Sequence, residues 1–159
     1  MKRGFCAVLA VVVLSAISIA DQSGQKKAWI DLQGCDMCKH MGDNMEMMQH
    51  VTWENHKIAN GMLSASVVPK KYREQMNAVH EKMKAVGEKA AKGGKLTTCG
   101  HCESFGKLVM AGAKTEEIKT DFGYISLVTS SDPEVVKKIH EHTDTTVKEF
   151  AAYLAKHKR

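Results

Sequence analysis

Two Cys-x-x-Cys pairs, Cys35/Cys38 and Cys99/Cys102, carry the strongest chemical signal in this 159-residue chain. Each cysteine of the first pair precedes its counterpart in the second by the same 64 positions. Four thiols so arranged have three uses: ligands of one metal ion, two redox pairs, or two small disulfides. The spacing places both sulfurs of a pair at one helix terminus, where free backbone N–H groups and the helix dipole favour thiolate. One ion held by all four would require the pairs to converge, because a Zn–S bond is only about 2.3 Å long.

Other soft donors crowd the first pair. Between Cys35 and His50 lie five of the ten methionines together with His40 and His50. Thiolate, thioether and imidazole select Zn or Cu(I) over hard cations. Met37, Met41, Met45 and Met48 have helical spacing, which also describes ordinary core packing. Met47 and His40 fall off that stripe one heptad apart, so they are the expected exposed donor pair. His101, inside the second Cys-x-x-Cys, is a further candidate ligand. His50 and His56 share one face if both lie on a strand. His80 and His140 sit at the margins of apolar stripes, where a hydrogen-bonded boundary histidine is the ordinary outcome. Neither completes a zinc-protease signature, since Lys84 and Asp144 occupy the positions a second histidine would need. His140 and His142, two apart on a helix, point to different sides. Trp29 and Trp53 read as core. No Gly-x-Ser-x-Gly elbow or phosphate loop is present, so hydrolytic chemistry has no support.

The elements that must position these groups recur in two passes. Ala28 to Leu32 alternates like a short strand, and Cys35 to Gln49 reads as helix. His50 to Ile58 and Met62 to Val68 read as strands joined by the turn signal Asn60-Gly61. Pro69 then starts a helix with the stripe Tyr72, Met76, Val79, Met83, Val86 and Ala90, ended by Gly93-Gly94. In the second pass Cys99 opens a helix carrying Phe105, Leu108 and Val109. Strands follow at Thr115 to Asp121 and Tyr124 to Thr129. Ser131-Asp132-Pro133 then starts a helix with Val136, Ile139, Thr143, Val147, Phe150 and Leu154 on one face. Two halves, about 28–92 and 96–157, thus share the order helix, strand, strand, helix, and Val79-His80-Glu81 matches Ile139-His140-Glu141. The expected fold is α+β, internally duplicated, with an antiparallel sheet covered by helices and a ferredoxin-like arrangement in each half.

Lys2 and Arg3 precede an apolar run from Phe5 to Ile19 that ends in Ser18-Ile19-Ala20. These are the parts of an export signal over residues 1–20, cleaved before Asp21, too short for a comfortable membrane span. The mature chain, 21–159, then forms one domain without stable membrane insertion, in the periplasm or outside the cell. Cys6 leaves with the signal. Net charge falls from +5 to +3 when Lys2 and Arg3 are removed, too mild for a nucleic-acid partner. The four remaining cysteines enter a compartment that normally oxidises thiols.

Two local resemblances bear on the cysteines. Cys99-Gly100-His101-Cys102 resembles the active-site tetrapeptide of protein disulfide isomerases, which implies thiol-disulfide exchange with Cys99 as nucleophile and Cys102 as its partner. That family follows an aromatic residue with the tetrapeptide and faces it with a cis-proline, whereas here Thr98 precedes it and Pro133 reads as a helix starter. Gly34-Cys35-Asp36-Met37-Cys38 resembles the metal loop of heavy-metal-associated domains, which implies a ferredoxin-like fold, although the family's Met and Thr before the first Cys are missing. The leading expectation is an exported protein that binds Zn or Cu through Cys35, Cys38, Cys99 and Cys102, for sequestration, delivery or structural bracing. The alternatives are a thiol-disulfide oxidoreductase or redox sensor using the same residues, and a disulfide-braced interaction module with an unnamed protein partner.

Overall fold

The computed structural model describes residues 27–157, so the export signal expected over residues 1–20 lies outside the described residues. Two one-turn helices, α1 (Lys39–Gly42) and α2 (Met45–Met48), lead into the hairpin β1 (Thr52–Ile58) and β2 (Gly61–Val67). A 3-10 turn (Lys70–Tyr72) then opens α3 (Arg73–Ala91). After a loop come α4 (Gly100–Met110), the hairpin β3 (Lys114–Lys119) and β4 (Gly123–Thr129), and α5 (Pro133–His157). The order helix, strand, strand, helix therefore occurs in both halves.

The hairpins join through β2 and β4 into one antiparallel sheet of order β1-β2-β4-β3. Adding 62 to both members of the pair Thr52 and Val67 gives Lys114 and Thr129, and the same step carries Lys57 and Met62 to Lys119 and Tyr124. Both hairpins thus share one register, and Ser64 pairs with Ser126 at the centre of the β2–β4 ladder. Ferredoxin-like halves do not form among the described residues, because each half supplies one hairpin and no strand precedes its first helix there. Ala28 to Leu32 is not a strand. The carbonyls of Ala28 and Trp29 instead accept the backbone N–H groups of Gly100 and His101, both at 2.9 Å. Those donors belong to the first turn of α4 and have no partner within the helix.

Alternation along the strands puts Met62, Ser66, Tyr124 and Val128 on one face, and the helices pack there. α3 contributes Met76 and Val79 beside Tyr124 and Val68. α5 contributes Val135 and Ile139 beside Met62, Val128 and Leu108. The buried positions Tyr72, Met76 and Val79 thus correspond to Val135, Ile139 and His142, a step of 63. His80 and His140 are 60 apart, so their local sequence match is not a structural one. Val135, not Val136, faces the core, while Val109, Val147 and Leu154 stay exposed.

The two hairpins turn on matching glycines. Gly61 has φ 156° and Gly123 has φ 155°, a region that side chains other than glycine rarely enter. A Cβ on Gly123 would also stand 2.0 Å from the Ser66 carbonyl oxygen. Gly123→Ala is therefore expected to cost about 2–3 kcal/mol through backbone strain and collision. The urea-unfolding midpoint measures it, and an unshifted midpoint would contradict the strain.

Candidate metal centre

The first cysteine pair lies on a loop that its own carboxylates shape. Asp31 Oδ1 accepts the N–H groups of Gln33 and Gly34 at 3.0 and 2.7 Å, the side-chain-closed turn for which aspartate is favoured. The chain then winds into α1, where the N–H of Lys39 donates to the Cys35 carbonyl at 2.9 Å. The Cys38 N–H approaches Cys35 Sγ at 3.5 Å, so the backbone supplies a donor to that sulfur. Cys99 stands at the N-cap position of α4, and Cys102 lies within its first turn.

Asp36 ties the two segments together. Its N–H donates to the Thr97 carbonyl at 2.8 Å, and its Oδ2 accepts the Thr97 N–H at 2.9 Å. The Lys39 ammonium, 2.9 Å from Oδ1, and the Thr97 amide hold the Asp36 carboxyl below its ordinary range. Together with the Gly100 and His101 amides on residues 28 and 29, these bonds set the cysteine loop against the start of α4.

The result is convergence of all four sulfurs. Cys38 Sγ lies 3.4 Å from Cys102 Sγ and 3.7 Å from Cys99 Sγ. One ligand atom from each of Cys35, Cys38, Cys99 and Cys102 falls within 4.8 Å of every other. Tetrahedral ligands on bonds of about 2.3 Å would stand about 3.8 Å apart. The set therefore suits one ion. The close approaches cross between the pairs, and all four cysteines are free thiols. Cys35, Cys38 and Cys99 are buried, Cys102 is half-buried, and Leu32, Met37 and Met41 pack around them.

Acidity is unevenly shared among these groups. Hydrogen bonds from the Cys102 and Cys38 thiols pull Cys99 far below the ordinary thiol range, against the opposing effect of burial. Hydrogen bonds with Cys102 and then Cys99 push Cys38 up, with burial adding to the rise. Cys102 is pulled down by Cys38, yet its bond to Cys99, burial and the charge of Cys99 raise it on balance. One thiolate supported by neighbouring thiols is the expected state of the empty cluster, since four adjacent negative charges repel without a cation.

The remaining candidates separate from the sulfurs. Met47 is 0% exposed and belongs to the core with Val68, Tyr72, Met76 and Val79, so it is no exposed donor. A break between α1 and α2 changes the helical phase and turns Met47 inward. His40 is half-buried on α1, and neither it nor His101 joins the four-sulfur group. His50 follows α2 and stacks on Tyr72, whereas His56 is exposed on β1 beside Glu54. They therefore share no strand face. His80 stacks on Tyr124 and meets Glu117, while His140 Nε2 contacts the carbonyls of Ile58 and Gly61. Trp53 packs against the core as expected. Trp29 instead sits beside His101 and His142. The sequence offers His142 no ligand partner, because His140 two residues away points to a different side of the helix. Its approach to α4 arises only on folding. No protein-family model, curated protein or solved structure matches this chain.

Proposed function

We propose that this is an exported transition-metal-binding protein in which Cys35, Cys38, Cys99 and Cys102 hold one Zn or Cu ion as thiolates. The observation that carries this reading is the convergence of four ligand sulfurs within 4.8 Å. A four-sulfur set with no open position matches closed sites that store or brace with a metal, in contrast to catalytic sites that keep one position for substrate. Such an ion links the 27–38 segment to α4 and shields the thiols from oxidation outside the cytoplasm. Export rests on Lys2, Arg3 and the apolar run Phe5 to Ile19. Among the described residues no helix is long and apolar enough to cross a membrane.

Disulfide exchange is the second reading, favoured by the lowered pKa of Cys99 at a helix start. Against it, an attacking thiolate must reach a substrate disulfide, and Cys99 is only 2% exposed. Pro133 begins α5 and is exposed, the helix starter that its sequence context implied. A disulfide-braced module fits less well, because the closest sulfur contacts run between the pairs.

The test is metal analysis of the mature protein purified without oxygen, with its intact mass recorded. One equivalent of zinc or copper per chain is expected, on a polypeptide beginning at Asp21. Metal-free protein that reduces insulin, and stops doing so as Cys99→Ser, would establish exchange instead.

A further inference from the structure

A second group of metal-compatible atoms lies where α5 meets α4. His142, on α5, is 3% exposed. Its Nδ1 is 2.9 Å from Ser104 Oγ, and its Nε2 is buried without a hydrogen-bond partner. When Nδ1–H donates to that hydroxyl, Nε2 holds a lone pair with nothing to accept. An imidazole that ligates a metal is arranged in this way, one nitrogen anchored by a hydrogen bond and the other offering its lone pair. Burial, reinforced by His101, pushes the His142 pKa down to about 4, so the ring is neutral at physiological pH.

A second imidazole stands next to it. The His101 ring centroid is 4.8 Å from that of His142, with the planes 46° apart. Trp29 packs on both rings, at 6.2 and 5.7 Å between centroids. An open pocket of about 340 Å³ is bordered by Trp29, Ser104 and His142, with Lys138 and Glu141 also lining it. It gives a small hydrated ion a route to the His142 ring, against which His101 packs.

We propose that His101 and His142 bind a second transition-metal ion, separate from the four-sulfur centre, with Ser104 orienting His142 and water filling the other coordination positions. Neutral imidazole suits zinc, copper and nickel. The site has only two protein ligands, so its ion exchanges more readily than one held by four thiolates. It does not depend on how the cysteines are used.

Cadmium(II) tests this, because it does not change redox state and its cadmium-113 resonance separates sulfur from nitrogen and oxygen ligation. Equilibrium dialysis of the mature protein counts the ions, and the resonance assigns them. Two bound ions are expected, one sulfur-ligated and one nitrogen-ligated. His142→Gln and His101→Gln should each remove the second and leave the sulfur resonance in place, which also reports that the variant is folded. Ser104→Ala should weaken the second ion about 10- to 100-fold while leaving the count at saturation unchanged. A nitrogen resonance without a sulfur one would support this site and defeat the four-thiolate reading. A single sulfur-ligated ion would overturn the site, leaving a water between Trp29 Nε1 and His142 Nε2 as the occupant. No bound ion, or a nitrogen resonance that survives both histidine substitutions, would overturn it equally.

Discussion

Cys99→Ser is expected to weaken zinc binding by more than about 100-fold, the upper end of what losing an outer-shell partner costs. Cys99 is 2% exposed, so no water can take its place beside the ion. The serine hydroxyl does not ionise near neutral pH and leaves a buried polar atom among three sulfurs. Cys102→Ser should cost less, about 10- to 100-fold, because Cys102 is half-buried and solvent can complete the coordination shell. Competition against a chromophoric chelator gives both constants. Equal affinities for both variants and the unmodified protein would show that the sulfurs do not act as one ligand set. The order of the two effects also discriminates. A redox pair would lose turnover with either cysteine, whereas a closed metal site grades the loss by burial.

Removing the ion is the second large effect. An ion present at 1,000 times its dissociation constant stabilises the folded state by about 4 kcal/mol. For a domain of this size that corresponds to about 10–20 °C in Tm. Chelation at pH 8 should therefore lower Tm by that amount. The pH dependence follows from the acidities within the cluster. Cys99 has its pKa depressed, so its contribution is present above the unfolded thiol value and is lost as pH falls through the folded one. Cys38 and Cys102 have theirs raised, so the empty site keeps both protons through neutrality. Filling the site must release at least these two, and affinity should rise by at least about 100-fold per pH unit. Tm curves with zinc and with chelator should then lie furthest apart at pH 8 and converge by pH 5. A gap that is the same at both ends would rule out thiolate coordination.

Much of the fold was legible because its signals are local. Asn60-Gly61 announced the first hairpin, and Pro69 and Pro133 announced the long helices, since turn and helix-start chemistry depends on neighbouring residues alone. The α+β class and the repeated element order followed from periodicity. The misreadings share a cause as well. Ala28 to Leu32 alternates like a strand, but its carbonyls found unsatisfied donors at the start of α4 before any sheet edge. Met47 looked exposed because one continuous helix was assumed from Cys35 to Gln49, and the break between α1 and α2 rotates it into the core. The match around His80 and His140 depended on identity, whereas the buried faces align three residues away from it.

What the sequence by itself determined was the inventory: four paired thiols, their places before helices, two hairpins and the helices that cover them. Those features follow from spacing and backbone preference within a few residues. Only the tertiary structure decided that the two pairs meet, that Cys102 alone among them reaches solvent, and that His142 crosses to His101. Such encounters depend on how one sheet and its helices pack, and a ligand distance of a few ångströms between residues 64 positions apart is written in no local stretch of chain.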